Sequence, residues 1–429
     1  MPNPNRHLTA TPPPSPAAPR AHALRSLVRL SPLLVLLAPA LLGGCGHRCY
    51  GCGSNSPAPF QVSYGVVSAD FNGDTFNDVA ELNTVVPLTA TNTSTINMYL
   101  STGPATFSPP TMTIAGTDPL FLVAADINGD GRMDLVTASY DDGAVFVFLN
   151  NPASPGSFTA PIQLASRGAS QLAVADMNGD GMLDIVSADF GVSLFVQTAP
   201  GVFAAPLGLY SSGANWVALG DLNGDGAADV ALTDEVGVKL LMHIGARAAT
   251  TFAPAVSVFT QTPNANVAGA NVVAIADLNG DTLNDLVITD PGPTGDLAPF
   301  VAVLLQDPSN HGSFITDATY PIAAQDLPQS IVVKDLTGSG HLDIVIGGEK
   351  TVTVLLHDPA HAGKFLPATI YPAPGANEIA VADINGDGKL DIVVSNGVTA
   401  PVVNGVTLAH PGVLLGTGGG AFGALQDLP

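Results

Sequence analysis

The sequence predicts an all-β fold, namely a seven-bladed β-propeller with four-stranded antiparallel blades. Two observations lead to this prediction: a motif that recurs seven times at a period near fifty residues, and a composition rich in turn-forming residues. The 429-residue chain contains 46 Gly and 36 Pro, and only 11% of its residues are charged. Many short strands joined by tight turns give such a composition, whereas a helical bundle does not.

The repeated motif is D-x-N-G-D-x-x-x-D, and its copies begin at Asp70, Asp126, Asp176, Asp221, Asp277, Asp335 and Asp383. The intervals between these first aspartates are 56, 50, 45, 56, 58 and 48 residues. A period of this length is typical of propeller blades rather than of solenoids with shorter repeats. Seven units therefore predict seven blades.

Each unit has the pattern of four strands. In the third unit, an apolar stretch at 171–175 leads into the motif, and residues 184–188 leave it with the alternation of a strand. A third segment spans 193–197, and a fourth begins at Phe203. Because one blade cannot cover both faces of its own sheet, packing the blades around an axis is the stable arrangement. Only ten residues separate Phe60 from Asp70, so we expect a short first strand in the first unit.

The motif has the chemistry of a calcium loop. A hard cation such as Ca²⁺ takes six to eight oxygen ligands, and positions one, three, five and nine supply Asp, Asn, Asp and Asp side chains, with a backbone carbonyl at position seven. Gly at position six is expected to adopt a positive φ, which is costlier for Thr75 and Thr282 in the first and fifth loops. The candidate calcium ligands are Asp70, Asn72, Asp74, Asp78, Asp126, Asn128, Asp130, Asp134, Asp176, Asn178, Asp180, Asp184, Asp221, Asn223, Asp225, Asp229, Asp277, Asn279, Asp281, Asp285, Asp383, Asn385, Asp387 and Asp391.

The sixth loop, from Asp335 to Asp343, carries Thr337 and Ser339 in place of two ligands, so we expect it to be weak or empty. Two other interpretations of the motif stay open. An EF-hand or dockerin loop shares the first six positions, but it needs flanking helices and an acidic residue at position twelve, where Glu81 is the single match. Alternatively, the Asp and Asn side chains form Asx turns without any metal. Mg²⁺ and transition metals suit this all-oxygen loop less well than Ca²⁺.

The loops lie between two apolar strands and are followed by a Gly-x-Phe turn. In this they resemble the FG-GAP or VCBS-type repeats of the integrin α-subunit propeller and its bacterial relatives. The resemblance covers residues 60–429 and rests on six well-formed loops in register. It implies a calcium-binding propeller that acts as a surface adhesion or protein-interaction scaffold.

The N-terminal segment predicts export. Arg20, Arg25 and Arg29 precede an apolar run at 30–42, which has the length of a signal-peptide core. The L-G-G-C at 42–45 resembles a bacterial lipobox, which would make Cys45 the lipidated first residue of the mature protein; an ordinary signal peptide and secretion are the alternative. We therefore expect a signal peptide at 1–44, a Cys-, Gly- and Pro-rich linker at 45–59 and the propeller at 60–429, anchored at the outer membrane or cell surface.

The formal net charge of -23 argues against a nucleic-acid partner, because little here can neutralise phosphates. Of the 36 Asp and Glu residues, 20 lie in the seven loops. The chain shows no nucleophile elbow, H-E-x-x-H helix or phosphate-binding glycine loop, so we expect no enzymatic activity. His357 and His361 lie in a recurring hairpin, so we expect them to have a role in the turn. We expect Trp216 to pack within or between blades.

We expect a monomer that binds a surface protein, or alternatively a glycan, through the face opposite the calcium loops. The long connections at 83–95, 291–299 and 396–411 should lie on that face. With 1 Trp and 7 Tyr, aromatic platforms for sugars are few, which makes a lectin the second choice. A lyase-type enzyme on the same scaffold is the third.

Overall fold

A computed structural model describes residues 60–86, 94–104, 106–260, 272–292, 298–324, 326–396, 402–403, 406–407 and 410–428. The predicted signal peptide, the linker and its three cysteines, Cys45, Cys49 and Cys52, lie outside these residues. Parts of the long connections do too. In the described part of the chain, none of the helical structure has the length and apolar character needed to span a bilayer.

The first three blades account for strands β1 to β16. Blade 1 contains β1 (Phe60–Ala69), β2 (Asp78–Val86), β3 (Ser94–Tyr99), the small ribbon β4 (Ser101–Gly103) and β5 (Thr106–Phe107), and β6 (Thr111–Gly116). Blade 2 contains β7 (Pro119–Ala125), β8 (Asp134–Ser139), β9 (Ala144–Phe148) and β10 (Ile162–Ala165). Blade 3 contains β11 (Gln171–Ala175), β12 (Asp184–Ala188), β13 (Val192–Phe195), the ribbon β14 (Gln197–Ala199) and β15 (Val202–Phe203), and β16 (Leu207–Tyr210).

The remaining blades follow the same order. Blade 4 contains β17 (Trp216–Gly220), β18 (Asp229–Thr233), β19 (Gly237–Leu241), a 3-10 turn at Arg247–Ala249 and β20 (Val256–Thr260). Blade 5 contains β21 (Val273–Ala276), β22 (Asp285–Asp290), β23 (Phe300–Gln306) and β24 (Phe314–Pro321). Blade 6 contains β25 (Pro328–Lys334), β26 (Asp343–Gly348), β27 (Thr351–Leu355) and β28 (Thr369–Pro372). Blade 7 contains β29 (Ile379–Ala382), β30 (Asp391–Val394), β31 (Val402–Val403), β32 (Val406–Thr407), β33 (Gly412–Leu414), β34 (Gly416–Gly418), β35 (Ala421–Phe422) and β36 (Gln426–Asp427).

Seven four-stranded antiparallel blades stand in a ring, which confirms the seven-bladed propeller; the sheet of blade 1 is extended to six strands by β31 and β32. The core is divided in the same way, because seven clusters of buried apolar side chains each lie between two consecutive blades. Six clusters join neighbours along the chain. The seventh joins Val66 and Val79 of blade 1 to Ile384 and Val393 of blade 7, and thereby closes the ring.

The ring closes through side-chain packing, since every blade takes its four main strands from one continuous stretch of chain. A hydrogen bond also crosses the junction of blades 1 and 7: Asn77 Nδ2 donates to the Asp383 carbonyl oxygen at 2.9 Å. The hairpin β31–β32 also reaches across from blade 7, and Thr407 pairs with Phe60 of β1. The expected short first strand was wrong: β1 has ten residues, because pairing with β2 continues past a bulge between Ser63 and Gly65.

The third and fourth strands of blade 3 also differ from the prediction. Strand β13 ends at Phe195, because the Gln197 N–H is donated to Asp184 Oδ1 at 2.7 Å and leaves the ladder. Phe203 then lies in the small ribbon β14–β15, and the fourth strand begins at Leu207. Each small ribbon is thus a twisted extension of the hairpin between third and fourth strands.

The antiparallel order places the seven motif loops and the hairpins between third and fourth strands on one side, which we call the loop face. The turns between second and third strands and the connections between blades lie on the opposite face, as expected. In blades 2, 5, 6 and 7, the hairpin packs against the motif loop of the preceding blade. A Cβ on Gly363 of blade 6 would lie 3.2 Å from the Asn279 Cβ of blade 5, and Gly363 has a φ of +71°.

Candidate functional site

The motif loops are built from successive Asx turns. In the third loop, Asp176 Oδ1 accepts the N–H groups of Gly179 and Asp180 at 2.5 and 3.1 Å, and its Oδ2 accepts that of Gly181 at 3.0 Å. Asn178 Oδ1 accepts the Asp180 N–H at 2.9 Å. The first, third and fifth side chains therefore fold around the backbone of an exposed turn. Closely similar hydrogen bonds recur in the other loops.

The ninth position has a second role that sequence reasoning missed. Asp184 is fully buried, and its Oδ2 accepts the Met177 N–H at 3.0 Å while its Oδ1 accepts the Gln197 N–H at 2.7 Å. The carboxylate thus ties the loop to the end of the third strand. The same pair of backbone hydrogen bonds is made by all seven residues at this position, Asp78, Asp134, Asp184, Asp229, Asp285, Asp343 and Asp391.

Burial raises the pKa of Asp184 to about 6, although its two backbone hydrogen bonds lower it. The negative charges of Asp180 and Asp176 raise it further. The first and fifth carboxylates therefore lie close enough to disfavour the charged form of the ninth. A cation would relieve this repulsion, and carboxylate and amide oxygens are the donors that a hard cation prefers.

The sixth loop shows which hydrogen bonds of the turn form without the full set of candidate cation ligands. Asp335 accepts the N–H groups of Gly338 at 2.8 Å and Gly340 at 2.7 Å, as the first aspartate does elsewhere. Ser339 Oγ accepts the His341 N–H at 3.2 Å. The loop thus keeps its fold with Thr and Ser at positions three and five, so the turn itself does not require Asn and Asp there.

Position six has a positive φ in every loop. Thr75 and Thr282 adopt φ values of 76° and 74°, and Gly181 adopts 86°. The expected strain at the two threonines is therefore confirmed, since a β-branched residue in this region is disfavoured by sterics.

Among the described residues, no group of three or more Asp, Glu, His or Cys side chains is arranged to hold a metal ion as it stands.

Glu81, the residue that matched an EF-hand at position twelve, turns away from its loop. Its Oε2 accepts a hydrogen bond from Asn83 Nδ2 at 2.8 Å, inside the junction of blades 1 and 7. The loops are also flanked by strands rather than helices. Both observations contradict the EF-hand interpretation.

The histidines and the tryptophan have structural contacts. The His357 N–H is donated to Asp343 Oδ1 at 2.8 Å, and His361 Nδ1 lies 2.8 Å from Asp358 Oδ2 within the same hairpin. Trp216 packs against the cluster between blades 4 and 5, with its ring edge-to-face to Phe121 at 5.3 Å. These contacts agree with the expected turn and packing roles.

The repeats decide the family. The family described as FG-GAP-like repeat matches residues 70–137, 126–187, 176–232, 277–346 and 335–394, which together make up more than half of the chain. The chain is an FG-GAP repeat protein. The resemblance stated from the loop residues is thereby confirmed.

Several solved structures are similar to this chain at low identity. An N-acetylglucosamine-recognising lectin of Agrocybe aegerita has 23% identity and a TM-score of 0.49, with 72% of this chain and 80% of that chain covered. The V. cholerae biofilm matrix protein Bap1 has 13% identity and a TM-score of 0.39, with 79% and 84% covered. BBS1N, in complex with ARL6DN, has 10% identity and a TM-score of 0.48, with 86% and 93% covered. No curated protein matches the chain.

On the opposite face of this FG-GAP propeller, a shallow open groove of about 890 Å³ lies between blades 2 and 3. Its walls are the turns that follow β8 and β12 and the connection from β10 to β11. The Tyr140 and Phe190 rings pack against each other with centroids 5.9 Å apart, and 60% of Phe190 is exposed. The lining residues are Tyr140, Asp141, Asp142, Gly143, Ser166, Arg167, Gly168 and Phe190.

The charged groups of the groove are held in place. Asp142 accepts hydrogen bonds from the Thr117 N–H and Ser139 Oγ, both at 2.7 Å. Burial alone would raise the pKa of Asp142, but these hydrogen bonds outweigh it and the pKa is lowered. Arg167 is half-exposed, and its Nη2 lies 3.6 Å from Oδ1 of the buried Asp189. The groove thus offers fixed charges of both signs beside two aromatic rings.

Sequence reasoning missed this groove, although one signal was present. Tyr140 and Phe190 each stand fourteen residues after the first aspartate of their repeats, Asp126 and Asp176. Aromatic residues at the same position of consecutive repeats are brought together when the blades pack side by side. The long connections expected to form the binding surface lie at blades 1, 5 and 7 instead, and are only partly within the described residues.

Proposed function

We propose that this FG-GAP propeller is an exported, lipid-anchored surface adhesion module that binds a glycan in the groove between blades 2 and 3. Calcium ions in six motif loops brace the scaffold, and the module has no enzymatic activity. The groove is the observation that carries the proposal, because it places two aromatic rings, two carboxylates and a guanidinium on one exposed surface.

This combination suits a polyhydroxylated ligand. The apolar faces of sugar rings pack on aromatic side chains, and hydroxyl groups exchange hydrogen bonds with carboxylates and guanidinium groups. Tyr140 and Phe190 supply the apolar contact, while Asp142 and Arg167 supply acceptors and donors. Because Asp142 is already oriented by Thr117 and Ser139, little ordering is needed on binding.

Calcium binding is supported by the contrast between the sixth loop and the other six. The sixth loop folds with Thr337 and Ser339, so the turn alone does not require the Asn and Asp found at these positions in the other loops. Burial is the main cause of the raised pKa of Asp184, and the nearby charges of Asp180 and Asp176 raise it further. A bound Ca²⁺ would account for the Asn and Asp and would offset these charges.

We expect Phe190→Ala to weaken glycan binding about tenfold or more, because the ring supplies much of the apolar contact. The purified full-length chain is first applied to a glycan array, and affinities for a positive glycan are then measured by calorimetry. Arg167→Ala should also weaken binding. Val256→Ala, a change of a 59% exposed side chain on the outer strand of blade 4, is the matched control and should have no effect.

A glycan whose affinity is the same for the wild type and Phe190→Ala would place its site elsewhere. An array without any positive glycan, combined with capture of a defined surface protein, would instead support the protein-adhesion alternative.

We expect Cys45→Ser to abolish lipidation and to move the protein from the membrane into the soluble exported fraction. Without the acyl chains, no other anchor is predicted. Metabolic labelling with a fatty-acid analogue, followed by fractionation, measures both effects. Cys49→Ser is the matched control and should keep its label. Equal labelling of the Cys45→Ser variant would overturn the anchor and favour simple secretion.

A further inference from the structure

The junction that closes the ring differs from a purely apolar blade contact. Ser63, Glu81 and Asn83 are fully buried there, and Tyr99 is 3% exposed. Tyr99 belongs to the apolar cluster shared by blades 1 and 7. At the residue equivalent to Glu81, the other blades carry Thr137, Ser187, Leu232, Ile288, Ile346 and Val394, none of which is charged.

The hydrogen bonds at this junction leave two buried oxygen atoms without a hydrogen-bond donor. Asn83 Nδ2 donates to Glu81 Oε2 at 2.8 Å, and the Tyr99 hydroxyl donates to the same oxygen at 3.4 Å. The second oxygen of each partner, Glu81 Oε1 and Asn83 Oδ1, is buried without a hydrogen-bond partner. The Ser63 hydroxyl also lies beside Glu81 and lowers its pKa, but it has only one hydrogen to donate. The Ser63 hydroxyl can serve one of the two buried acceptors, Glu81 Oε1 and Asn83 Oδ1, so at least one of them still lacks a donor.

A single proton on the Glu81 carboxyl group supplies the missing donor. If Glu81 Oε1 carries a hydrogen, it can donate to Asn83 Oδ1, and the acid and the amide then form a cyclic pair with both hydrogen bonds made. A buried acceptor without a donor costs about 1–3 kcal/mol, and an unpaired buried carboxylate costs more. A bound metal ion fits less well, because Ca²⁺ needs six to eight oxygens and this site is fully buried with a single carboxylate.

We propose that Glu81 is a neutral carboxylic acid paired with Asn83, and that its ionisation weakens the contact between blades 1 and 7, so that ring closure responds to pH.

The surroundings of Glu81 favour this state. Burial raises the pKa of Glu81 to about 8, although hydrogen bonds from its polar neighbours lower it. Burial also raises the pKa of Tyr99, so Tyr99 stays a neutral donor. The titratable groups on the described elements packed around Glu81 are Tyr64, Asp78, Tyr99, Asp391, His410 and Asp427. Tyr99 hydrogen-bonds Glu81, and the His410 ring lies 5.7 Å from the Tyr99 ring.

The direction of the pH effect follows from linkage. The ordinary pKa of Glu81 is 4.5 and its folded value is about 8, so folding takes up a proton between these values. The contribution of Glu81 to stability is therefore present at pH 4.5 and is lost as the pH rises towards 8. Glu81→Gln keeps the shape and the neutral charge, and it removes this titration.

The test uses the full-length chain at saturating Ca²⁺, where the loop carboxylates are held ionised. The wild type should melt about 2–3 °C lower at pH 8.5 than at pH 6.5, beyond any change in Glu81→Gln. Infrared spectra at pH 6.5 should show the C=O stretch of a protonated carboxyl group that Glu81→Gln lacks. Glu378→Gln and Glu349→Gln control for the other two glutamates whose pKa values burial raises.

Equal pH dependence in the two proteins, or no loss of the carboxyl band, would overturn the proposal. Stabilisation of the wild type by Na⁺ or K⁺ that disappears in Glu81→Gln would overturn it as well, in favour of a cation. If Glu81→Gln does not fold, titration of the carboxyl band in the wild type decides, since the band should decline with a midpoint near pH 8.

Discussion

Removal of divalent cations should lower the melting temperature of this FG-GAP propeller by about 10 °C. A ligand that binds only the native state adds RT ln(1 + [L]/Kd), or about 1.4 kcal/mol for each site at ten times Kd. Six independent sites then contribute about 8 kcal/mol, which corresponds to this shift in a domain of this size. Differential scanning calorimetry in Ca²⁺ and in excess chelator measures it.

Variants in single loops test which loops contribute to the stabilisation by calcium. Asp176→Ala and Asp383→Ala should each reduce the shift between calcium and chelator, because each removes the first ligand of an intact loop. Asp343→Ala in the sixth loop should leave that shift unchanged, although it lowers the melting temperature itself by removing two backbone hydrogen bonds. Identical melting curves in calcium and chelator would contradict calcium binding and leave the Asx turns as the whole role of the loops.

The blades and the placement of the loops were predictable because the signal is local and repeated. The spacing of the first aspartates gives the number of blades, and the Gly at position four and the residue at position six indicate where the backbone turns. The alternating order of four strands then assigns each connection to a face. Each of these inferences needs only a few neighbouring residues, so tertiary packing did not alter them.

The features that sequence reasoning missed depend on contacts between distant segments. The length of β1 is set by pairing with β2 across the bulge at Ser63 and Gly65. The groove requires Tyr140, Arg167 and Phe190 to meet although about fifty residues separate the first from the last. Glu81 matched a loop position in sequence, but its side chain turns into a junction that exists only when the ring closes.

The ninth aspartate shows the same limitation in the loops. Its acidic side chain was assigned to the cation because it supplies an oxygen at the last position of the motif, yet in the structure it is buried and holds the backbone of two segments. Both of its oxygens accept an N–H group, and each oxygen keeps a second lone pair for a cation. The structural role and the proposed ligand role are therefore compatible. They differ in whether the stability lost on removing this carboxylate depends on calcium.

Asp184→Ala should destabilise the propeller by about 3–5 kcal/mol, because the N–H groups of Met177 and Gln197 would be left buried without an acceptor. The loss should be nearly as large in chelator as in calcium, since these hydrogen bonds need no ion. Chemical denaturation in both conditions measures it.

Asp180→Ala is the matched control for this prediction. Asp180 is the exposed fifth residue of the same loop, so its removal should reduce stability mainly when calcium is present. A destabilisation of Asp184→Ala that disappears in chelator would assign the ninth aspartate to the cation alone. A destabilisation that persists would mean that the loop is anchored to the third strand before any ion binds, so that the ion enters a turn whose two ends are already fixed.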